Sequence, residues 1–279
     1  MLGCPHLLAW WIGMQTNILD DHLTGVLLAG GSGSRMKPLT QHMNKHLIPV
    51  YMKPMIEYAL GTLFHMGLRR ILVITGRDHM GQIVQRLGSG ADFGKDVDFT
   101  FKVQERAGGI AEALSLAQDF VGKRKVAVML ADNIFDDSSI FSVSREFAQS
   151  SKNYAVNFLE DAQDKDPRAY GVAHVHQGKI VKIVEKPKKP ESNLIVTGLY
   201  LYPTCVFDKI KKLTPSERNE LEITDVNNFY VDEENLHYHI VKNWFDAGEP
   251  EPWMKTQNYV MNHPNSFAED RFLAKPNKE

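Results

Sequence analysis

The sequence predicts an α/β fold, a doubly wound and mostly parallel Rossmann-like sheet with an added β-rich part. Two observations carry this. From Thr24 to about Ser150, short apolar β-branched runs alternate with longer amphipathic ones, the pattern of parallel strands joined by crossover helices. Beyond Ser150 the predicted strands crowd together with turn-rich links, as hairpins laid on the same sheet would.

The elements follow in order. Residues 25–29, Gly-Val-Leu-Leu-Ala, read as a buried strand. Between Pro54 and Met66 the apolar residues Ile56, Ala59, Leu60, Leu63 and Phe64 fall at helical spacing, with Pro54 suited to the first turn and Gly67 to the C-terminal cap. A strand at 71–75 comes next, then a helix near 79–87, a strand at 97–103, a helix at 110–120 and a strand at 125–130. In the second half, 154–159, 171–176, 179–185 and 194–202 read as strands. A helix at 223–233, strands at 237–241 and 244–246, and a helix at 253–261 complete the pattern. The chain thus divides into an N-terminal extension (1–23), an α/β part (24–150), a β-rich part of the same domain (151–263) and a tail (264–279).

With 279 residues, 43% of them hydrophobic and 24% charged, the composition is that of a soluble globular chain. Thirty-two basic and 34 acidic residues leave a formal charge of −2, which offers no positive field to a nucleic-acid backbone. No nucleic-acid partner is expected, and any anionic ligand must be held by local groups. Cys4 and Cys205 cannot build a disulfide framework or a cysteine zinc site, in keeping with a reducing cytosol and a cytoplasmic location. The apolar run 6–14 is too short to span a bilayer, and it lacks the basic leading region and cleavage pattern of a signal peptide, so no membrane partner is expected.

Four places could do chemistry. Gly30-Gly31-Ser32-Gly33, directly after the first strand and followed by Arg35, can aim backbone N–H groups at a phosphate, and Lys45 adds a second cation. The run fits neither common phosphate-loop template and is also what a plain turn looks like. Asp132 ends an unbroken apolar strand, where ligands sit in open α/β sheets, and Asp246 repeats that arrangement. Two carboxylates together with substrate phosphates are how proteins usually hold magnesium, although either alone is more often a helix cap. Glu185 and Lys186 end a strand stopped by Pro187, and serve one ligand only if the strand end twists. Gln104, followed by Gly108-Gly109, can match the edge of a nucleobase and let a flat ring approach the backbone.

The same-face pairs His174 with His176 and His237 with His239 read as solvated sheet residues rather than metal ligands. No nucleophile elbow, His-Glu-x-x-His or catalytic-cysteine setting is present in the sequence. Phosphate-binding cations and two acids without a general-base constellation suit a nucleophile that is already ionised, such as a phosphate oxygen attacking a nucleotide's α-phosphorus.

The runs Leu28–Thr40, the Lys45 segment, Leu130–Phe135, Ala169–Val172, Val184–Pro187, Val196–Tyr200, Glu220–Asp225 and Trp244–Gly248 together resemble the sugar-phosphate nucleotidylyltransferases, in one order from about Gly25 to Met261. The resemblance implies transfer of a nucleotidyl group from dTTP to glucose 1-phosphate, with Mg2+ as cofactor, giving dTDP-glucose and pyrophosphate. It implies that Gly30, Gly31, Ser32, Gly33 and Arg35 embrace the nucleotide phosphates and that Lys45 reaches the reacting ones. Asp132 and Asp246 would hold magnesium, Gln104 and Gly109 would read the pyrimidine, and Lys186 would contact the sugar phosphate. Gly171, Glu185 and Val196 would form the sugar site, which places nucleotide binding in 24–150 and sugar-phosphate binding in 151–263.

Where the family commonly has a glycine, this chain has Ala131, expected to add a methyl group close to the sugar; Gly108 and Ile110 replace an acid and a leucine near the base. Family members often continue for roughly fifty residues beyond the last shared helix in a tail that builds subunit contacts, by resemblance only, so the expectation of a homo-oligomer stays open. Use of UTP is the nearest alternative, and a non-catalytic nucleotide-sugar sensor is the alternative of another class.

Overall fold

A computed structural model describes residues 19–267 apart from Ser32 and Asp164. The first strand, β1 (Leu23–Ala29), is buried along its whole length. A short hairpin of β2 (Pro49–Val50) and β3 (Lys53–Pro54) follows, then β4 (Arg70–Gly76), β5 (Asp98–Gln104), β6 (Lys125–Leu130) and β7 (Asn133–Phe135). The second half supplies β8 (Ala155–Asp161), β9 (Gly171–His176), β10 (Lys179–Glu185), β11 (Leu194–Tyr202), β12 (Leu236–Ile240) and β13 (Trp244–Asp246).

One nine-stranded sheet runs in the order β10-β9-β11-β6-β1-β4-β5, with β8 on β11 and β12 on β8. The pairs among β6, β1, β4 and β5 are parallel, as the crossover pattern predicts. The added half is antiparallel where β10 meets β9 and where β11 meets β9, β6 and β8; β12 returns parallel to β8 and is no hairpin arm.

Alternate residues of the central strands feed two cores, because side chains of a strand point to opposite faces. Leu23, Leu27, Val73 and Met129 pack in one core with Ile56, Leu60 and Leu63 of the helix Met55–His65. Val26, Leu72, Ile74 and Val128 pack in the other with Ala111, Leu114, Val226 and Tyr230. The Met55–His65 helix closes as its sequence predicts: Gly67 has φ +83, its N–H bonds Phe64 O at 2.9 Å and Leu68 N–H bonds Leu63 O at 3.0 Å. A third cluster, with Val50, Tyr58, Ile134, Ala247 and Val260, joins the small β13-β7 sheet to the helix Pro250–Asn262.

The structure corrects three expectations. The helix expected over 110–120 is two, Ile110–Ser115 and Gln118–Val121, because at the break Leu116 N–H bonds Ala113 O at 3.1 Å and Ala117 N–H bonds Leu114 O at 2.9 Å, a turn tighter than the α-helix. The last helix starts at Pro250 rather than 253, with proline in its first turn. The helices Ser139–Gln149 and Val206–Ile210, and strand β7, are additional elements.

The sheet forks along one edge of β11. Leu199–Tyr202 pair with β6 while Ile195 pairs with β9, so Val196, Thr197 and Gly198 lie where the two neighbours diverge. The amide of Asn133 fills the fork: its Oδ1 accepts Gly198 N–H at 2.8 Å and Trp244 Nε1–H at 2.6 Å. A Cβ on Gly198 would stand 2.5 Å from that Oδ1. Gly198→Ala is therefore expected to destabilise the fold by about 1–3 kcal/mol in urea unfolding, as overpacking of a tight core does.

Candidate active site

The fork opens into a cleft of about 420 Å³ at the carboxyl ends of β1, β5 and β6. This is the switch-point position at which open α/β sheets take ligands.

At its centre three charged groups converge on Gly248. A Cβ there would lie 2.8 Å from Asp132 Oδ2, 3.1 Å from Asp246 Oδ1 and 3.2 Å from Lys45 Nζ, so only a bare backbone fits among them. Lys45 donates to Asp132 Oδ2 at 2.6 Å, with side-chain exposures of 10% and 16%. Asn133 Nδ2 donates to the other carboxylate oxygen at 2.9 Å. Burial alone would raise the Asp132 pKa, but the Lys45 charge and these hydrogen bonds hold it well below the usual carboxylate range. Asp246 moves the other way: burial and the neighbouring Asp132 charge push it up to about 6, against the Gly248 N–H that it accepts at 3.1 Å. Such a pair of acids, split by mutual repulsion, is a place where a divalent cation relieves strain. Among the described residues no group of three or more His, Cys, Asp or Glu is placed to hold a metal, so protein ligation here would come from the two acids.

One end of the cleft is lined by Gly30, Gly31, Gln104 and Gly109. Gln104, buried at the end of β5, donates to Gly109 O at 3.3 Å, and its Oε1 lies so close to Gly30 that a Cβ there would stand 2.8 Å away. Gly109 takes φ +94, and its Cβ would meet Leu221 O at 2.5 Å. Leu221 bonds the backbone on both sides of this glycine, to Gly108 O at 2.8 Å and from Ala111 N–H at 3.2 Å. Gly33, with φ +65, forms the turn behind the cleft wall, where Thr40 Oγ1 donates to its carbonyl at 2.7 Å. Arg35 reaches over the mouth and ion-pairs with Glu249. Ser32 lies outside the described residues.

The other end holds Glu185, Thr224, Arg218 and Lys186. Thr224 Oγ1 donates to Glu185 Oε2 at 2.6 Å, and Arg218 donates to Glu185 Oε1 at 3.3 Å and to Glu222 Oε2 at 2.8 Å. The strand end does twist: Lys186 has φ +44, its N–H bonds Tyr170 O at 3.0 Å, and its Nζ lies 4.0 Å from Glu185 Oε1. Gly171 faces the same group, with its Cβ position 3.5 Å from Glu185 Oε2, and Val196 forms part of the wall.

A model of the nucleotidyl transferase family matches residues 24–263. The chain belongs to this family. A glucose-1-phosphate thymidylyltransferase of Neisseria meningitidis is 36% identical over 247 residues, covering 87% of this chain and 84% of that protein. One of Xanthomonas campestris is 39% identical over 245 residues, covering 85% and 80%. A structure assigned to the Bacillus anthracis glucose-1-phosphate thymidylyltransferase, solved with a sucrose, superposes with a TM-score of 0.80 at 45% identity, covering 85% and 95%. A UDP-glucose pyrophosphorylase bound to UDP-glucose shares the fold, with a TM-score of 0.76 at 22% identity over 87% of this chain and 99% of the other.

As a nucleotidyl transferase, the chain brings Gly30, Gly31, Arg35, Lys45, Gln104, Gly109, Asp132, Gly171, Glu185, Lys186, Val196 and Asp246 onto one cleft. Ala131 is a correction: it is fully buried in the core that holds Leu27 and Phe135 and is not on the cleft wall, so its methyl does not face a sugar. Of the replacements near the base, Ile110 lines the cleft and Gly108 does not; a Cβ on Gly108 would collide with the Glu112 carboxylate, which Arg106 holds at 2.9 Å. Arg218, Glu222 and Thr224 are site residues that sequence reasoning left without a role, although they lie in or beside the quoted Glu220–Asp225 run. The histidine pairs sit away from the cleft, His174 beside Glu191, His237 stacked on Tyr154 and His239 hydrogen-bonded to Ser139. Among the described residues no helix is long and apolar enough to cross a membrane.

His46 backs the centre and stays neutral, because burial first and the Lys45 charge second lower its pKa to about 3. Asn44 Oδ1 already accepts the His46 backbone N–H at 2.8 Å, so His46 Nδ1 donates to the same oxygen, also at 2.8 Å. Between the folded value and the unfolded 6.5, the unfolded chain binds the extra proton, so this histidine's contribution to stability is complete above pH 6.5 and lost as pH falls. Urea unfolding at pH 7 and pH 5 is expected to show about 2 kcal/mol more loss for wild type than for His46→Gln.

Proposed function

We propose that the protein transfers a thymidylyl group from dTTP to glucose 1-phosphate with Mg2+, forming dTDP-glucose and pyrophosphate. The carrying observation is the convergence of Lys45, Asp132 and Asp246 on Gly248, in a cleft whose lining also includes Gly30, Gly31, Gln104, Glu185 and Thr224. The named relatives support the same substrate pair.

In this reading the Gly30–Gly33 loop and Arg35 hold the triphosphate, the latter exchanging Glu249 for a phosphate oxygen. Gln104 and Gly109 read the pyrimidine, while Glu185, Gly171 and Val196 take the hexose hydroxyls and ring. Lys186 contacts the sugar phosphate, and Arg218 adds a guanidinium on that side. The sugar phosphate is ionised at neutral pH, so its oxygen attacks the α-phosphorus directly, the bond to the β-phosphate oxygen breaks, and pyrophosphate leaves. No side chain needs to take a proton. Lys45 stands where the reacting phosphates meet and neutralises charge that grows toward the transition state. Nucleotide binding thus falls to 24–150 and sugar-phosphate binding to 151–263 of one domain.

Asp132 and Asp246 fit a magnesium ion as hard oxygen donors, with burial first and the Asp132 charge second raising the Asp246 pKa. Bound there, the ion supplies Lewis-acid stabilisation of phosphoryl oxygens. UTP is the second reading, favoured by the fact that an amide such as Gln104 addresses a base edge common to thymine and uracil. The sensor reading fits less well, since Arg35, Lys45, Asp132 and Asp246 all stand in the cleft.

Pyrophosphate release across a grid of nucleoside triphosphates and sugar 1-phosphates is expected to be highest for dTTP with glucose 1-phosphate, and no release with any pair overturns the proposal. Asp132→Asn is expected to lower turnover by about 100-fold or more with the circular dichroism spectrum kept; wild-type rates at limiting Mg2+ would remove Asp132 from the mechanism. Because a proton competes for Asp246, Mn2+ affinity is expected to fall about tenfold per pH unit below about pH 6, and a flat profile there contradicts the assignment.

A further inference from the structure

Strand β13, which carries Asp246, is three residues long and pairs on one edge with β7, also of three residues. A ribbon this short is not stable by itself. The backbone of Trp244 is held by two side chains from elsewhere in the fold. Its N–H donates to Glu160 Oε1 at 3.3 Å, and its carbonyl accepts from Lys165 Nζ at 2.7 Å. Glu160 is the next-to-last residue of β8, and Lys165 forms an ion pair with its Oε2. The side chains are 14% and 27% exposed, so each depends on the other for its charge to be tolerated. Lys165 Nζ also lies 4.4 Å from the centre of the Trp244 ring. That ring's Nε1–H bonds Asn133 Oδ1 at 2.6 Å, and Asn133 Nδ2 holds Asp132 at 2.9 Å.

We infer that Glu160 and Lys165 are positioning residues for Asp246: the pair supplies Trp244 with the donor and acceptor that a neighbouring strand would give, and so sets the spacing between the Asp246 and Asp132 carboxylates. Neither residue lines the cleft. The inference rests on the proposed reading of these two acids as the metal-holding pair. Outer-shell groups of this kind set affinity for a cation by fixing ligand geometry.

The test is Mn2+ titration of the whole protein by electron paramagnetic resonance, alongside the Mg2+ dependence of turnover. Lys165→Met is expected to weaken Mn2+ binding and to raise the Mg2+ needed for half-maximal rate by about tenfold or more, with kcat at saturating Mg2+ within about threefold of wild type. Lys165→Arg, which keeps the charge and can reach the same carbonyl, is expected to restore both to within about twofold. If Lys165→Met does not fold, the double variant Glu160→Gln with Lys165→Met removes both charges and is held to the same expectation. Unchanged metal dependence in a folded variant overturns the inference, as does a fall in kcat that saturating Mg2+ does not rescue. Asp246→Asn separates the two levels: if it leaves Mn2+ binding intact, the metal reading fails and this inference with it. If it weakens binding while Lys165→Met does not, only the positioning role falls.

Discussion

One buried amide holds the fork of the sheet together. Asn133 is nearly inaccessible, and it spends both lone pairs of Oδ1 on Gly198 and Trp244 while its Nδ2 holds Asp132. Strands β6 and β9 cannot both pair along the whole of β11, and the divergence leaves backbone polar groups that need partners. The amide supplies one to Gly198 and, in the same act, ties the first acid of the cleft to the strand that carries the second. A satisfied polar network of this kind tolerates little change, because each lost partner leaves a buried group unpaired at about 1–3 kcal/mol.

The electrostatics of the centre follow from that closeness. Lys45 keeps Asp132 ionised, and Asp132 in turn makes a second negative charge on Asp246 unfavourable. A neutral His46 behind them adds no further positive charge. The centre thus carries one firm carboxylate and one that is easily protonated, with Lys45 as the cation between them. In the proposed reaction the substrates bring several more negative charges, and their neutralisation by cations supplies most of the rate enhancement.

The central strands were legible because each is an unbroken apolar run flanked by helical periodicity, and the Gly67 cap because a glycine, which accepts a left-handed turn, follows the last residues of a helical run. The cleft residues were legible in two ways. Asp132, Asp246 and Glu185 stand out as charged residues ending strands, whereas Gly171 and Val196 were singled out by resemblance. Strand β7 has three residues and exists only because β13 pairs with it, so no local pattern could announce it. The break after Ser115 is a local tightening, in which Leu116 and Ala117 N–H bond the carbonyls three residues back, and apolar periodicity carries no mark of it. Ala131 was misplaced for a related reason: its nearness to Asp132 in sequence says nothing about which face it takes, and it faces the core.

By itself the sequence determined the α/β class, the order of the buried strands and the charged residues that line the cleft as candidates for phosphate, since periodicity and charge are local properties of the chain. Tertiary structure decided what depends on contacts distant in sequence. It set the fork at Gly198, the meeting of Lys45, Asp132 and Asp246 around Gly248, the left-handed turn that brings Lys186 round beside Glu185, and the Glu160–Lys165 pair beneath Trp244. Where these groups lie far apart in the chain their separation carries no signal, and the buried ones are held by the hydrogen bonds and ion pairs that burial demands.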